Sequence, residues 1–190
     1  MEVINVQKRN FTMKAKQLRR AGFVPGNIFG EGLDNAVAIQ VEAGLAKKLL
    51  RENREGSKLR LELDGQNMPV QLKEKMVDSI SNDILNLNFQ VLKKDQKVNS
   101  VIHILLDHAE ETKGLLERML MEIPYASLPA DMIDTITLDV AKIPVGAMVT
   151  VGDIPQLNSD KIELQVKTDE IVLRINAKRM IAETVEPEEP

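Results

Sequence analysis

The sequence has no cysteine and no tryptophan, and only two histidines, one tyrosine and four phenylalanines. Without cysteine there are no disulfides, thiolate metal sites or cysteine nucleophiles. With so few rings, the core must be mostly aliphatic, and platforms for stacking nucleic-acid bases are nearly absent. Long apolar runs are missing too. No stretch approaches the roughly 20 residues that cross a bilayer as a helix. The opening MEVINVQKRN lacks the apolar centre of a signal peptide. The expected location is the cytoplasm, with no membrane partner.

Catalytic fingerprints are also absent. His103 and His108 lie five residues apart without an HExxH pattern, so they do not form a metal pair. GNIFGEG contains glycines, but no helix follows to complete a phosphate-binding turn, so it reads as a loop. No P-loop, GxGxxG or GxSxG pattern occurs. Carboxylates are plentiful, yet none stands in the apolar setting that marks a general acid. No catalytic residue, cofactor or metal is expected.

What is present is an asymmetry of charge. Residues 1–95 carry 16 Lys and Arg against 12 Asp and Glu, a net of +4, whereas residues 96–190 carry 9 against 17, a net of −8. This split predicts two functional units, 1–95 and 96–182, with a boundary near Asp95-Gln96-Lys97. The acidic, proline-containing tail over 183–190 is expected to be disordered. Positive charge is most concentrated at Lys8, Arg9, Lys14, Lys16, Arg19 and Arg20, with no acid between Glu2 and Glu31. A polyanion feels such a local field whatever the total charge. A solvated edge with no partner has the same composition.

Most of the chain alternates with period two, which predicts strands with one buried face. Leu59, Leu61 and Leu63 alternate with Lys58, Arg60 and Glu62. Asp64-Gly65 then supplies a hairpin turn, with Val70 and Leu72 on the return strand. Pro69 suggests an edge or a bulge there. Val37 to Val41, Ile136 to Val140, Ile162 to Val166 and Ile171 to Ile175 alternate likewise. Helical spacing is limited to 42–53, to 14–21 with Gly22 as its stop, and to 109–121, where Gly114 interrupts it. Residues 84–92, ILNLNFQVL, place Leu85, Leu87, Phe89 and Val91 on one face and Asn86, Asn88 and Gln90 on the other. Exposed amides in a row can hydrogen-bond a base edge or a phosphate, although a merely hydrated strand face reads the same way.

The segment LRRAGFVPGNIFG, residues 18–30, resembles the most recognisable stretch of the bacterial large-subunit ribosomal proteins that bind 5S rRNA. The pattern there is roughly Arg-Arg-Leu-Arg, two residues, Gly, one residue, Val-Pro, three residues and Tyr-Gly. Asn86-Leu87-Asn88-Phe89 falls where that family has His-X-Asp-Phe. LLERMLMEIPYASLPADMIDTITLDVAKIPVGAMVTVGDI resembles the second domain of the longer members, which include the general stress protein Ctc. Leu128-Pro129, Ile136 to Val140, Gly146 and Gly152-Asp153-Ile154 fall there in order. The resemblance covers roughly residues 3–180, and its strength is the order of several weak motifs.

The resemblance implies a mainly β fold with short helices, namely an N-terminal six-stranded β-barrel and a separate, mostly β C-terminal domain. It implies 5S rRNA and the large ribosomal subunit as partners. Family contacts come from basic residues, a Tyr, a Gln and the His-X-Asp pair. Carried onto this chain, the RNA-binding candidates are Lys8, Arg9, Lys14, Lys16, Arg19, Arg20, Phe29, Asn86 and Asn88. Gln7 and Gln17 stand where arginines are usual, Phe29 replaces the Tyr, Met76 falls near the Gln, and Asn86 and Asn88 replace the His and the Asp. These exchanges predict weaker and less selective RNA binding, or a stress-related or protein-binding paralogue that keeps the fold. The acidic second half is expected to meet protein or solvent.

Overall fold

A computed structural model describes residues 3–33 and 35–177; the expected disordered tail over 183–190 lies outside the described residues. The expected fold class is found. β1 (Val3–Lys8) and β2 (Phe23–Phe29) precede the alternating segments, which form β3 (Val37–Glu42), β4 (Lys58–Leu63), β5 (Gln66–Val77) and β6 (Ile84–Val91). The first four residues of GNIFGEG, expected in a loop, are the end of β2, because their backbone pairs with β3 and β6. They close into a barrel in the order β1-β3-β2-β6-β5-β4. Two parallel pairings, β1 with β4 and β2 with β6, complete the ring. Helix α1 (Ala15–Arg20) joins β1 to β2, and α2 (Ala43–Glu52) joins β3 to β4. Inward residues of every barrel strand, among them Val24, Ile39, Leu61, Leu72, Leu87 and Phe89, form one aliphatic core with a single ring.

Local chemistry fixes the connections. Asp64 and Gly65 both have positive φ, 52° and 77°, the signature of the two-residue turn that matches strand twist. In the middle of β2, Gly26 pairs with Leu87, and a Cβ at Gly26 would overlap the Leu87 carbonyl oxygen. Glycine here lets two backbones approach where the barrel closes. Pro69 does not mark an edge, because β5 pairs on both sides. The irregularities in β5 fall at Leu72/Glu74 and Met76/Val77 instead.

Beyond the barrel, β7 (Val98–Asp107), β9 (Glu122–Ser127), β10 (Thr135–Asp139) and β12 (Ile162–Leu164) form a sheet in the order β10-β7-β9-β12. Strands β8 (Leu115–Arg118), β11 (Met148–Thr150) and β13 (Ile171–Asn176) form a second sheet, ordered β11-β13-β8. The helical spacing of 109–121 gives way to one 3-10 turn, Ala109–Glu111, and then β8. Gly114 is pressed against the Asn176 carbonyl beside the β8–β13 ladder, so strand pairing overrides the local helical pattern. Tyr125, the sole tyrosine, is fully buried; its hydroxyl donates to the Ile133 carbonyl and accepts from the Ile133 N–H, at 2.9 and 2.8 Å. The chain's one phenol is therefore a core residue, inaccessible to an external ligand.

The two parts meet through polar groups. The Gln71 side chain is fully buried and donates to the Asn99 carbonyl and to Gln90 Oε1, at 3.1 and 2.9 Å. Lys73 Nζ donates to the same Asn99 carbonyl at 2.8 Å, and His103 Nε2 lies 2.8 Å from the Glu55 carbonyl oxygen. Leu92, Val98 and Met132 add a small apolar cluster.

Gly26→Ala is expected to lower stability by about 1–3 kcal/mol, because the added methyl must push β2 from β6. Urea unfolding of the two proteins checks this.

Candidate RNA-binding face

The outward side chains of five adjacent strands form transverse rows. Gln7 pairs with Gln40, Gln40 with Pro25, and Asn86 with Met76. One step along, Asn27 pairs with Ala38 on one side and Asn88 on the other, and Asn88 pairs with Glu74. Arg9 begins this second row, its N–H donating to the Ala38 carbonyl at 3.0 Å. In a third row Phe29 pairs with Gln90, and Gln90 with Gln71. Gln7, Arg9, Phe29, Met76, Asn86 and Asn88, far apart in sequence, thus share one surface. Five residues of β6 separate Leu85 from Gln90, roughly 17 Å at the rise of a strand.

The amides on this face are bonded to one another. Asn88 Oδ1 accepts from Asn86 Nδ2 at 2.9 Å and from Asn27 Nδ2 at 3.2 Å. Asn88 Nδ2 donates to Glu74 Oε2 at 2.8 Å. On β1 and β3, Gln40 Nε2 donates to Gln7 Oε1 at 3.2 Å, and Gln40 Oε1 accepts the Asn10 N–H at 3.0 Å. Sequence alternation singled out Asn86, Asn88 and Gln90 but missed Asn27, Gln40 and Glu74.

Glu74 reaches the face through a bulge. Leu72 pairs with Phe89, and the next pairing is Glu74 with Asn88, so Lys73 has no partner on β6. An extra residue in one strand shifts every later side chain to the other surface. Without the bulge, Lys73 would face Asn88. With it, Lys73 turns to Asn99 and a carboxylate takes its place.

Helix α1 borders one end of the face. Leu18, 1% exposed, anchors it in the fold, and the Gln17 side chain accepts the Lys14 N–H at 3.0 Å at its start. Gly22, at φ 89°, ends the segment. Lys16, Arg19 and Arg20 line a cleft of about 500 Å³ with Lys47, Asp78 and Asp83, and Arg19 Nη1 donates to the Leu85 carbonyl at 3.4 Å. The N–H groups of Ser81 and Ile80 bond the Asp78 carboxylate and hold its pKa below the ordinary value.

Lys8 lies elsewhere, at the barrel mouth beside Ile28, Leu63 and Met68, where its Nζ is 2.7 Å from Asp64 Oδ2. Both partners are exposed, so the pair contributes little. The Arg9 guanidinium sits 5.9 Å from the ring of Phe11, which is 79% exposed. Phe11, the most exposed ring in the basic segment, gave no signal in the sequence because it belongs to no periodic element.

The ribosomal L25p family model matches residues 4–89, and the model for the C-terminal domain of ribosomal protein TL5 matches residues 97–179. Curated relatives match over most of the chain. The large ribosomal subunit protein bL25 of Listeria monocytogenes serotype 4b (strain F2365) is 27% identical over 98% of this chain and 91% of its own. Its counterpart in Clostridium tetani (strain Massachusetts / E88) is 27% identical over 100% and 97%, and that of Geobacillus thermodenitrificans (strain NG80-2) is 29% identical over 77% and 70%. The chain belongs to the ribosomal L25p family, in the two-domain form with a TL5-type C-terminal domain.

The bond between Asn88 and Glu74 predicts the behaviour of Asn88→Asp. That exchange removes the donor and sets two carboxylates side by side, so stability should fall by about 0.5–1 kcal/mol. Adding Glu74→Gln should restore the loss. Thermal unfolding of the single and double variants at neutral pH measures both effects.

Proposed function

We propose that this protein binds 5S rRNA as a component of the large ribosomal subunit in the cytoplasm and has no enzymatic activity. The observation that carries this reading is the outward amide face of the barrel, bordered by the cations of α1. The names of the relatives support it. In this reading Lys16, Arg19, Arg20 and Arg9 meet phosphates, with Lys14 beside them, and Asn86, Asn88 and Phe29 meet bases. Lys8, paired with Asp64 at the barrel mouth, lies apart from this face. A matched base contact is worth about 1–3 kcal/mol, so the exchanges at Gln7, Phe29, Met76, Asn86 and Asn88 lower selectivity relative to the family pattern. The acidic second domain faces protein or solvent.

Replacing Lys16, Arg19 and Arg20 together with Ala should weaken binding to 5S rRNA. It should also flatten the salt dependence by roughly one unit of logarithmic slope for each phosphate no longer neutralised. Titrations at several salt concentrations test this. An unchanged affinity and slope would remove α1 from the interface.

Residues 1–95 form the RNA-binding unit by themselves in this reading. A fragment ending at Lys94 should unfold cooperatively and retain the RNA affinity of the full chain. The exposed polar surface of Gln71, released from Asn99, should lower its melting temperature without abolishing folding.

The internally bonded Asn88 and the net charge of −8 over residues 96–190 favour a second reading, a stress-related or protein-binding paralogue. Absence of any 5S rRNA binding by the full chain would select it.

A further inference from the structure

We infer that Glu74 is the specificity-determining acceptor of the barrel face, reading base amino and imino groups and turning phosphates away. The inference rests on the reading that this face takes RNA.

An exposed carboxylate on a face that meets a polyanion is a cost unless it recognises something. Three observations tie Glu74 to this place. First, the bulge at Lys73 exchanges a cation for this anion opposite Asn88, although the regular ladder would have put the lysine there. Second, Glu74 Oε2 accepts from Asn88 Nδ2 at 2.8 Å, while among the described residues Oε1 has no hydrogen-bond partner. Third, the bond sets the polarity of the surrounding network. An ionised carboxylate only accepts, so Asn88 must turn its NH2 to Glu74 and its oxygen away. That oxygen then receives the amide groups of Asn27 and Asn86. The orientation of three asparagines follows from one carboxylate.

The result is a chain of donors that ends on Glu74, with the oxygens of Asn27 and Asn86 left to accept from outside. Such a surface complements the N4 amino group of cytosine, the N6 amino group of adenine and the N1 and N2 groups of guanine. It repels phosphate oxygens, which are acceptors bearing negative charge. Carboxylates read bases by this chemistry. Phosphates are left to the α1 cations at the end of the face, so base and backbone contacts are spatially separated.

The test compares the full-length protein with Glu74→Gln, and with the exchange Asn88→Asp/Glu74→Gln, in which carboxylate and amide trade places. Affinities for 5S rRNA and for an unrelated RNA duplex of similar length are measured at one salt concentration, with melting curves to confirm folding. Glu74→Gln should reduce the preference for 5S rRNA about tenfold, with affinity for the unrelated duplex equal or higher. The exchanged pair should recover part of that preference, because an acceptor returns to the same row. If Glu74→Gln keeps the full preference, the proposal is overturned while the RNA-binding reading stands. If the unmodified protein binds neither RNA, that reading falls and the proposal falls with it.

Discussion

The parallel contact between β2 and β6 is the constraint on which the rest of the first domain depends. It closes the barrel, and it is close because Gly26 carries no side chain against the Leu87 carbonyl. The same register brings Asn27 level with Asn88 and Phe29 level with Gln90. A shift of one residue would turn Asn27 inward and Ile28 outward, destroying core and face together. Packing and the candidate site therefore share one cause. Hydrophobic side chains inside the barrel select the register, and that register assembles the amides outside it.

The bulge at Lys73 is a second, smaller constraint. It divides two adjacent opposite charges between two tasks. Lys73 Nζ leaves the barrel face for the Asn99 carbonyl on β7, and Glu74 takes the position beside Asn88. Asn99, which meets Gln71 of the third row from the second part, is neutral.

Much of this was legible in the sequence, and what was hidden has identifiable physical reasons. Period-two alternation revealed β3 to β6, β10, β12 and β13, because each buries one face, and Asp64-Gly65 revealed its turn because few residues tolerate two successive positive φ values. The end of β2 was hidden because Gly26 and Gly30 read as a loop, although Gly26 sits there to let two strands approach. The row of Asn86, Asn88 and Gln90 was visible for the same reason as the core beneath it. Glu74 was hidden because alternation counted from Val70 and Leu72 puts Lys73 outward, and a bulge leaves no local mark. Asn27 and Gln40 were hidden because each is a lone amide in its own strand and gains meaning only across the ladder. Residues 109–121 misled because helical spacing is local, whereas the β8–β13 pairing that overrides it joins segments far apart in the chain.

Gln17 shows how far a single exchange can be understood. Gln17, where the resemblance puts an arginine, accepts the Lys14 N–H and closes the first turn of α1. Short helices have costly nuclei, and α1 is only six residues long, so a capping contact matters more here than in a long helix. The contact helps to hold the helix that displays Lys16, Arg19 and Arg20. In the RNA-binding reading, the three cations of α1 beside a face of low charge would keep backbone attraction apart from base recognition. A net charge of −4 is no obstacle to such a surface, because screening at physiological salt confines each field to about 8 Å. Within that radius a phosphate placed at α1 would meet the local arrangement of Lys16, Arg19, Arg20 and Lys47 against Asp78 and Asp83, whatever the balance of the whole chain.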